Sequence, residues 1–137
     1  LKAAAAMIER DFMDSTVRCS AGALLETWSS HDWTEGVQLE TIDDMQTVTV
    51  RTENSTYEIT VICGRTGEVL IRGGRFFPEF TAARLAGCSL GGSFLKLRGI
   101  YIGFSLEIHF EKRLIITSRV RRITAPARQQ EKGRELR

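Results

Sequence analysis

Long apolar runs are missing from this 137-residue chain. Its uncharged apolar stretches last only a few residues, far short of the roughly 20 that span a bilayer. No membrane partner is therefore expected. Glu9, Arg10 and Asp11 interrupt residues 1–18 before an apolar signal region can form, so no secretory leader is expected either. Residue 1 is leucine, and the numbering is expected to begin inside a longer reading frame or at an unusual start. Cysteine is scarce. Cys19, Cys63 and Cys88 are odd in number and widely spaced, which suggests neither a disulfide framework nor a zinc site. A reducing cytoplasm is the expected compartment. The two histidines, His31 and His109, lack a nearby cluster of acids with which to hold a metal. No cofactor motif and no internal repeat is evident.

What the chain does have is ordinary globular material. Hydrophobic residues make up 42% and charged residues 26%, enough for one core in one domain. Net charge is only +2, but it is unevenly spread. Residues 1–44 carry three basic and nine acidic groups, net −6. Residues 45–110 carry seven and five, net +2, and residues 111–137 carry nine and three, net +6. Such asymmetry favours contact with an anion, or head-to-tail contact with another copy.

The hydrophobic period changes along the chain. Leu1, Ala5, Ile8 and Phe12 fall on one helical face, which predicts a short helix over residues 1–14. Ser15 or Thr16 is the expected cap of a second helix reaching Trp28, followed by a loop to Gly36. From residue 37 the period becomes 2. Val48 and Val50, then Tyr57, Ile59, Val61 and Cys63, then Val69 and Ile71 predict a three-stranded meander. Its turns fall at Glu53-Asn54-Ser55 and Gly64-Arg65-Thr66-Gly67. Gly73 to Phe80 reads as a connection, and Thr81 as the cap of one helical turn, Ala82 to Ala86, stopped by Gly87. The cleanest alternation is Ile100, Ile102, Phe104, Leu106, Ile108 and Phe110, which should face inward, with Tyr101, Glu107 and His109 outward. Gly103 marks a bend or bulge, and Glu111-Lys112-Arg113 a turn. The expected fold is mainly all-β: a small six- to seven-stranded barrel or β-roll over residues 37–126. A helical segment, 1–36, would precede it, and a basic flexible tail, 127–137, would follow.

Three groups of residues invite a chemical reading. Gly87-Cys88-Ser89-Leu90-Gly91 matches the G-x-S-x-G nucleophile elbow in letters. That motif requires a strand before the serine and a helix after it; here a helix-like turn is expected before and a strand after. Phe76, Phe77, Pro78 and Phe80 crowd one connection, as a core plug or as an exposed partner site. Arg119, Arg121 and Arg122 open a basic C-terminal end that Lys96, Arg98 and Tyr101 would extend. Small barrels bind single strands with such a groove plus stacking aromatics.

The stretch Arg84 to Ile123, under a third of the chain, resembles the second half of a PilZ domain, the small bacterial β-barrel that binds cyclic di-GMP. The likeness rests on Ser89-Leu90-Gly91-Gly92, the strands after it, and Thr117-Ser118-Arg119-Val120-Arg121-Arg122-Ile123. That family's ligand motifs are Asp/Asn-x-Ser-x-x-Gly and an upstream Arg-x-x-x-Arg. Ser89 and Gly92 fit the first, with Gly87 in the place of the acid or amide; Arg72 and Arg75 stand one residue too close for the second. The resemblance implies a barrel whose arginines grip an anionic nucleotide. From Val48 to Ile123 the chain also resembles bacterial proteins of no assigned activity, a likeness that implies no chemistry.

The sequence thus predicts a non-catalytic, self-associating binding module, with an anion-binding barrel as the alternative and a small serine hydrolase third. Candidate binding residues are Arg72, Arg75, Phe76, Phe77, Arg84, Ser89, Gly92, Arg98, Arg119, Arg121 and Arg122. Convergence of Arg72, Arg75, Arg84, Arg98 and the Ser89–Gly92 turn on one concave surface would favour an anion site. Their dispersal would favour assembly.

Overall fold

A computed structural model describes residues 7–11, 21–30 and 33–126. Alternating β-branched and aromatic residues fit a pleated surface with one face buried, and the central part of the chain is almost wholly strand. The strands are β1 (Met7–Asp11), β2 (Gly36–Gln38), β3 (Thr47–Thr52), β4 (Thr56–Cys63) and β5 (Glu68–Gly73). They continue as β6 (Phe77–Leu90), β7 (Ser93–Leu97), β8 (Gly99–Tyr101), β9 (Ser105–Phe110) and β10 (Arg113–Thr124). One helix, α1 (Ala21–Ser30), precedes β2.

The expected meander is present as β3–β4–β5, antiparallel throughout. It continues into β6, then β9, then β10, and β10 returns to β3. Six strands therefore close a barrel, and closure leaves none of their shared edges open. Two long strands make the closure possible. The first half of β6 pairs with β5 and its second half with β9, while β10 passes from β9 to β3. The core holds Val48, Val50, Tyr57, Ile59, Val61, Ile71, Phe77, Leu85, Leu106, Ile108, Ile115 and Val120, all at most 1% exposed. The period-2 inward face was legible in the sequence because alternate residues of a strand point to opposite sides.

Several expectations are corrected. Met7–Asp11 is a strand paired in parallel with β10, not part of a helix; backbone pairing to β10 overrides the helical apolar spacing. The rest of residues 1–14 lies outside the described residues. The second helix spans Ala21–Ser30 and runs past Trp28; its expected cap, Ser15 or Thr16, also lies outside them. The helical turn Ala82–Ala86 does not form. These residues belong to β6, where Ala82, Ala83 and Arg84 pair with Leu70, Val69 and Glu68. Alanine's helix preference is a few tenths of a kcal/mol per residue, small beside a strand ladder.

The alternation at 100–110 holds in part. Ile100, Phe104, Leu106 and Ile108 are buried, Ile102 and Phe110 pack half-buried on the core, and His109 is exposed. Tyr101 and Glu107, expected outside, are buried. Gly103 adopts φ +97 and separates β8 from β9. Residues 99–101 pair with β2 in a second, two-stranded sheet, and all three are buried. Trp33 meets the Tyr101 ring edge-on, with centroids 5.1 Å apart. Glu107 lies opposite Gly87, which has no side chain to hold it off, and its carboxylate accepts the Ser89 hydroxyl.

Gly87 decides how β7 attaches. Its φ is +147, and a Cβ there would come within 2.0 Å of the Lys96 carbonyl oxygen. Only glycine admits this approach, which lets β7 pair with the end of β6 while β9 pairs on its other side. Beyond β7, Trp28 of α1 stacks on Phe94, and Trp33 stacks on Phe104 at 5.0 Å. No described helix is long and apolar enough to cross a membrane.

Candidate functional site

Arg72, Arg75, Arg84 and Arg98 lie on different parts of the sheet: β5, the β5–β6 turn, β6 and the end of β7. Arg72, on the outer face of β5, pairs with Glu58 and lies over the Phe80 ring. Arg75, in the β5–β6 turn, lies over Phe76. Arg84 stands between Glu68 and His109 in the register of β6. Arg98 follows β7, and its backbone bonds to Ala86 and Leu39.

The phenylalanine segment is mostly consumed by the fold. Phe77 is 0% exposed and meets Phe110 edge-to-face, so it presents nothing to a partner. Phe76 packs half-buried on the core, and only Phe80 is exposed.

Ser89 lies near the end of β6, fully buried. Its hydroxyl donates to the Glu107 carboxylate and accepts the Gly92 N–H. The two residues shared with the PilZ motif are therefore bonded to each other within the β6–β7 hairpin. A strand precedes the serine, contrary to the helix-like turn expected, and a tight turn into β7 follows it. Ser89 pairs with Ser105, whereas His109 pairs with Arg84, four residues farther along β9. At the usual strand rise that is roughly 13 Å, too far for direct proton transfer.

Thiol environments differ. Burial pushes Cys88 up to about 12, while hydrogen bonding from the Thr66 hydroxyl lowers Cys63. Cys19 and His31 lie outside the described residues. Among the described residues no three His, Cys, Asp or Glu side chains gather as a metal site.

Two surfaces were not singled out in the sequence. One is the outer side of β7. β7 ends the strand order, paired with β6 alone among the described residues. Leu95 and Leu97 on it are 38% and 56% exposed. With Leu25 of α1, they are three of the five exposed large apolar side chains among the described residues. The other is a groove of about 750 Å³ along β3 and β10, lined by Thr49, Arg51, Thr52, Glu53, Thr56, Arg121, Arg122 and Thr124. Sequence reasoning reached Arg121 and Arg122 but not Arg51, 70 residues earlier, because only barrel closure brings β3 beside β10.

No protein family, curated protein or solved structure matches this chain.

Proposed function

We propose that this barrel is a non-catalytic assembly module that joins a second copy of itself through the free edge of β7. The observation that carries this reading is the contrast within the sheet. Six strands leave no shared edge, yet β7 has an unpaired side and two exposed leucines among the described residues. Edge strands in monomers are usually blunted by charge, proline or cover. β7 has no proline, and its one lysine, Lys96, turns over the Trp33 ring. Among the described residues Gln38 donates to the Leu97 carbonyl and Trp28 of α1 stacks on Phe94 at the start of the strand, which leaves Leu95 and Leu97 exposed. An antiparallel pairing about a two-fold axis is self-complementary: it closes both edges at once and sets the leucines of both copies on one shared face. Arg72 and Arg75 are engaged within the fold, by Glu58 and Phe80 and by Phe76, which favours this reading over an anion site built on them.

Light scattering tests it. At micromolar concentration the mass should be about twice the 15.4 kDa of one chain, and it should change little between low and high salt. Replacing Leu95 and Leu97 together by lysine should return the mass to that of one chain, with the thermal melt still cooperative. A monomer at every concentration, or a dimer indifferent to both lysines, would remove the proposal.

A further inference from the structure

The β3–β10 groove gathers positive charge on a second surface. Arg51 on β3 and Arg122 on β10 are direct cross-strand partners. Like charges placed opposite each other destabilise a sheet. Among the described residues neither forms an ion pair. Glu53, in the same groove, accepts from Arg121 at 3.1 Å, and Glu58, on the neighbouring β4, is held by Arg72. The groove therefore contains three arginines against one carboxylate.

A bulge builds this arrangement. The β10–β3 register shifts between Val120 and Arg122. A bulge sets two residues of one strand against one of its partner and re-aims a side chain. Along β10, Val120 is buried, Arg121 and Arg122 are both exposed, and Ile123 turns inward again. Two successive arginines thus line one groove, where strict alternation would have sent one of them into the core. The threonine hydroxyls of Thr49, Thr56 and Thr124 border them. Among the described residues no aromatic side chain lines the groove.

From this geometry we infer that the β3–β10 groove binds the phosphodiester backbone of a nucleic acid without reading its sequence. Guanidinium forks match phosphate oxygens, and hydroxyls add neutral donors. The lack of aromatics leaves base stacking without a platform, so recognition is of the backbone. A polymer fits better than a single phosphate because the chain runs from Thr124, at the groove, into Arg128, Lys132, Arg134 and Arg137 in its last fourteen residues. The opposed, unneutralised arginine pair is then a cost of folding that an anion relieves.

The test is fluorescence anisotropy with a labelled 20-nucleotide oligodeoxythymidine, using the full chain. Binding should weaken as salt rises, with a log–log slope near −2 for about three neutralised phosphates. Arg51→Ala and Arg122→Ala should each weaken binding about tenfold at low salt, and Arg51→Lys by less. Both alanine variants should keep or raise the melting temperature, because each removes a like-charge opposition. Arg75→Ala, outside the groove, serves as the control and should leave affinity unchanged. Absence of binding would overturn the inference. So would binding that the groove variants leave intact but deletion of residues 127–137 abolishes. Displacement of the oligonucleotide by pyrophosphate at equal phosphate concentration would also overturn it, in favour of a small phosphorylated ligand.

Discussion

Ser89 shows how a residue's chemistry depends on what it touches. The hydroxyl that letters alone would place on a nucleophile elbow instead joins Glu107 to the Gly92 N–H inside the β6–β7 hairpin. Ser89→Ala would leave a buried carboxylate without this donor and a backbone N–H without its acceptor. The expected loss is about 1–3 kcal/mol, measured by denaturant unfolding; a neutral effect would mean that the network is not structural. The two described cysteines provide a second residue-scale prediction. Cys63, lowered by the Thr66 hydroxyl, should react readily with a maleimide at neutral pH, and buried Cys88 should not. Peptide mapping of a Cys19→Ser variant reads this directly. The raised Cys88 has a thermodynamic consequence as well. Its ordinary value is 9.0, and the fold holds the proton until about 12. Above pH 9 the unfolded chain releases a proton that the folded chain keeps, so this contribution to stability is full below pH 9 and declines as pH rises through that window. Cys88→Ala should flatten the decline between pH 9 and 11; equal slopes in both proteins would contradict it.

At the scale of elements, β9 and the end of β6 anchor the closure. Leu106 is 0% exposed on β9, between β6 and β10. Leu106→Ala should cost about 2–5 kcal/mol in chemical denaturation. A loss well under 1 kcal/mol would mean that β9 is not part of the packed wall. Elements also account for what the sequence misread. Ala82–Ala86 has helical composition, yet β5 offers it a ladder and it becomes strand. Gly87 reads in the sequence as a helix stop; in the fold it is the point where β7 and β9 flank the same strand. Both errors arise because local preference is weak and pairing partners are distant in sequence.

For the whole molecule, the two proposed surfaces make opposite demands on salt. Edge pairing through Leu95 and Leu97 is apolar and backbone-driven, so it should persist as ionic strength rises. Groove binding through Arg51, Arg121 and Arg122 releases counterions, so it should fade. Deleting residues 127–137 separates them: the scattering mass should stay unchanged, while oligonucleotide affinity should fall without vanishing. A loss of the dimer on that deletion would show that assembly runs through the tail and not through β7.

That the chain is mainly strand, and that β3–β4–β5 form a meander with turns at Asn54 and Gly67, is legible in the residues alone, because side-chain period and turn chemistry are local. The return of β10 to β3, and with it the meeting of Arg51 and Arg122, follows only from the closed barrel. The tertiary structure alone buried Tyr101 beneath Trp33 and Glu107 against Ser89, and it alone left β7 with a free edge. Each of these depends on which strands become neighbours. Neighbours are chosen by burying one shared core, a condition that no single stretch of residues contains.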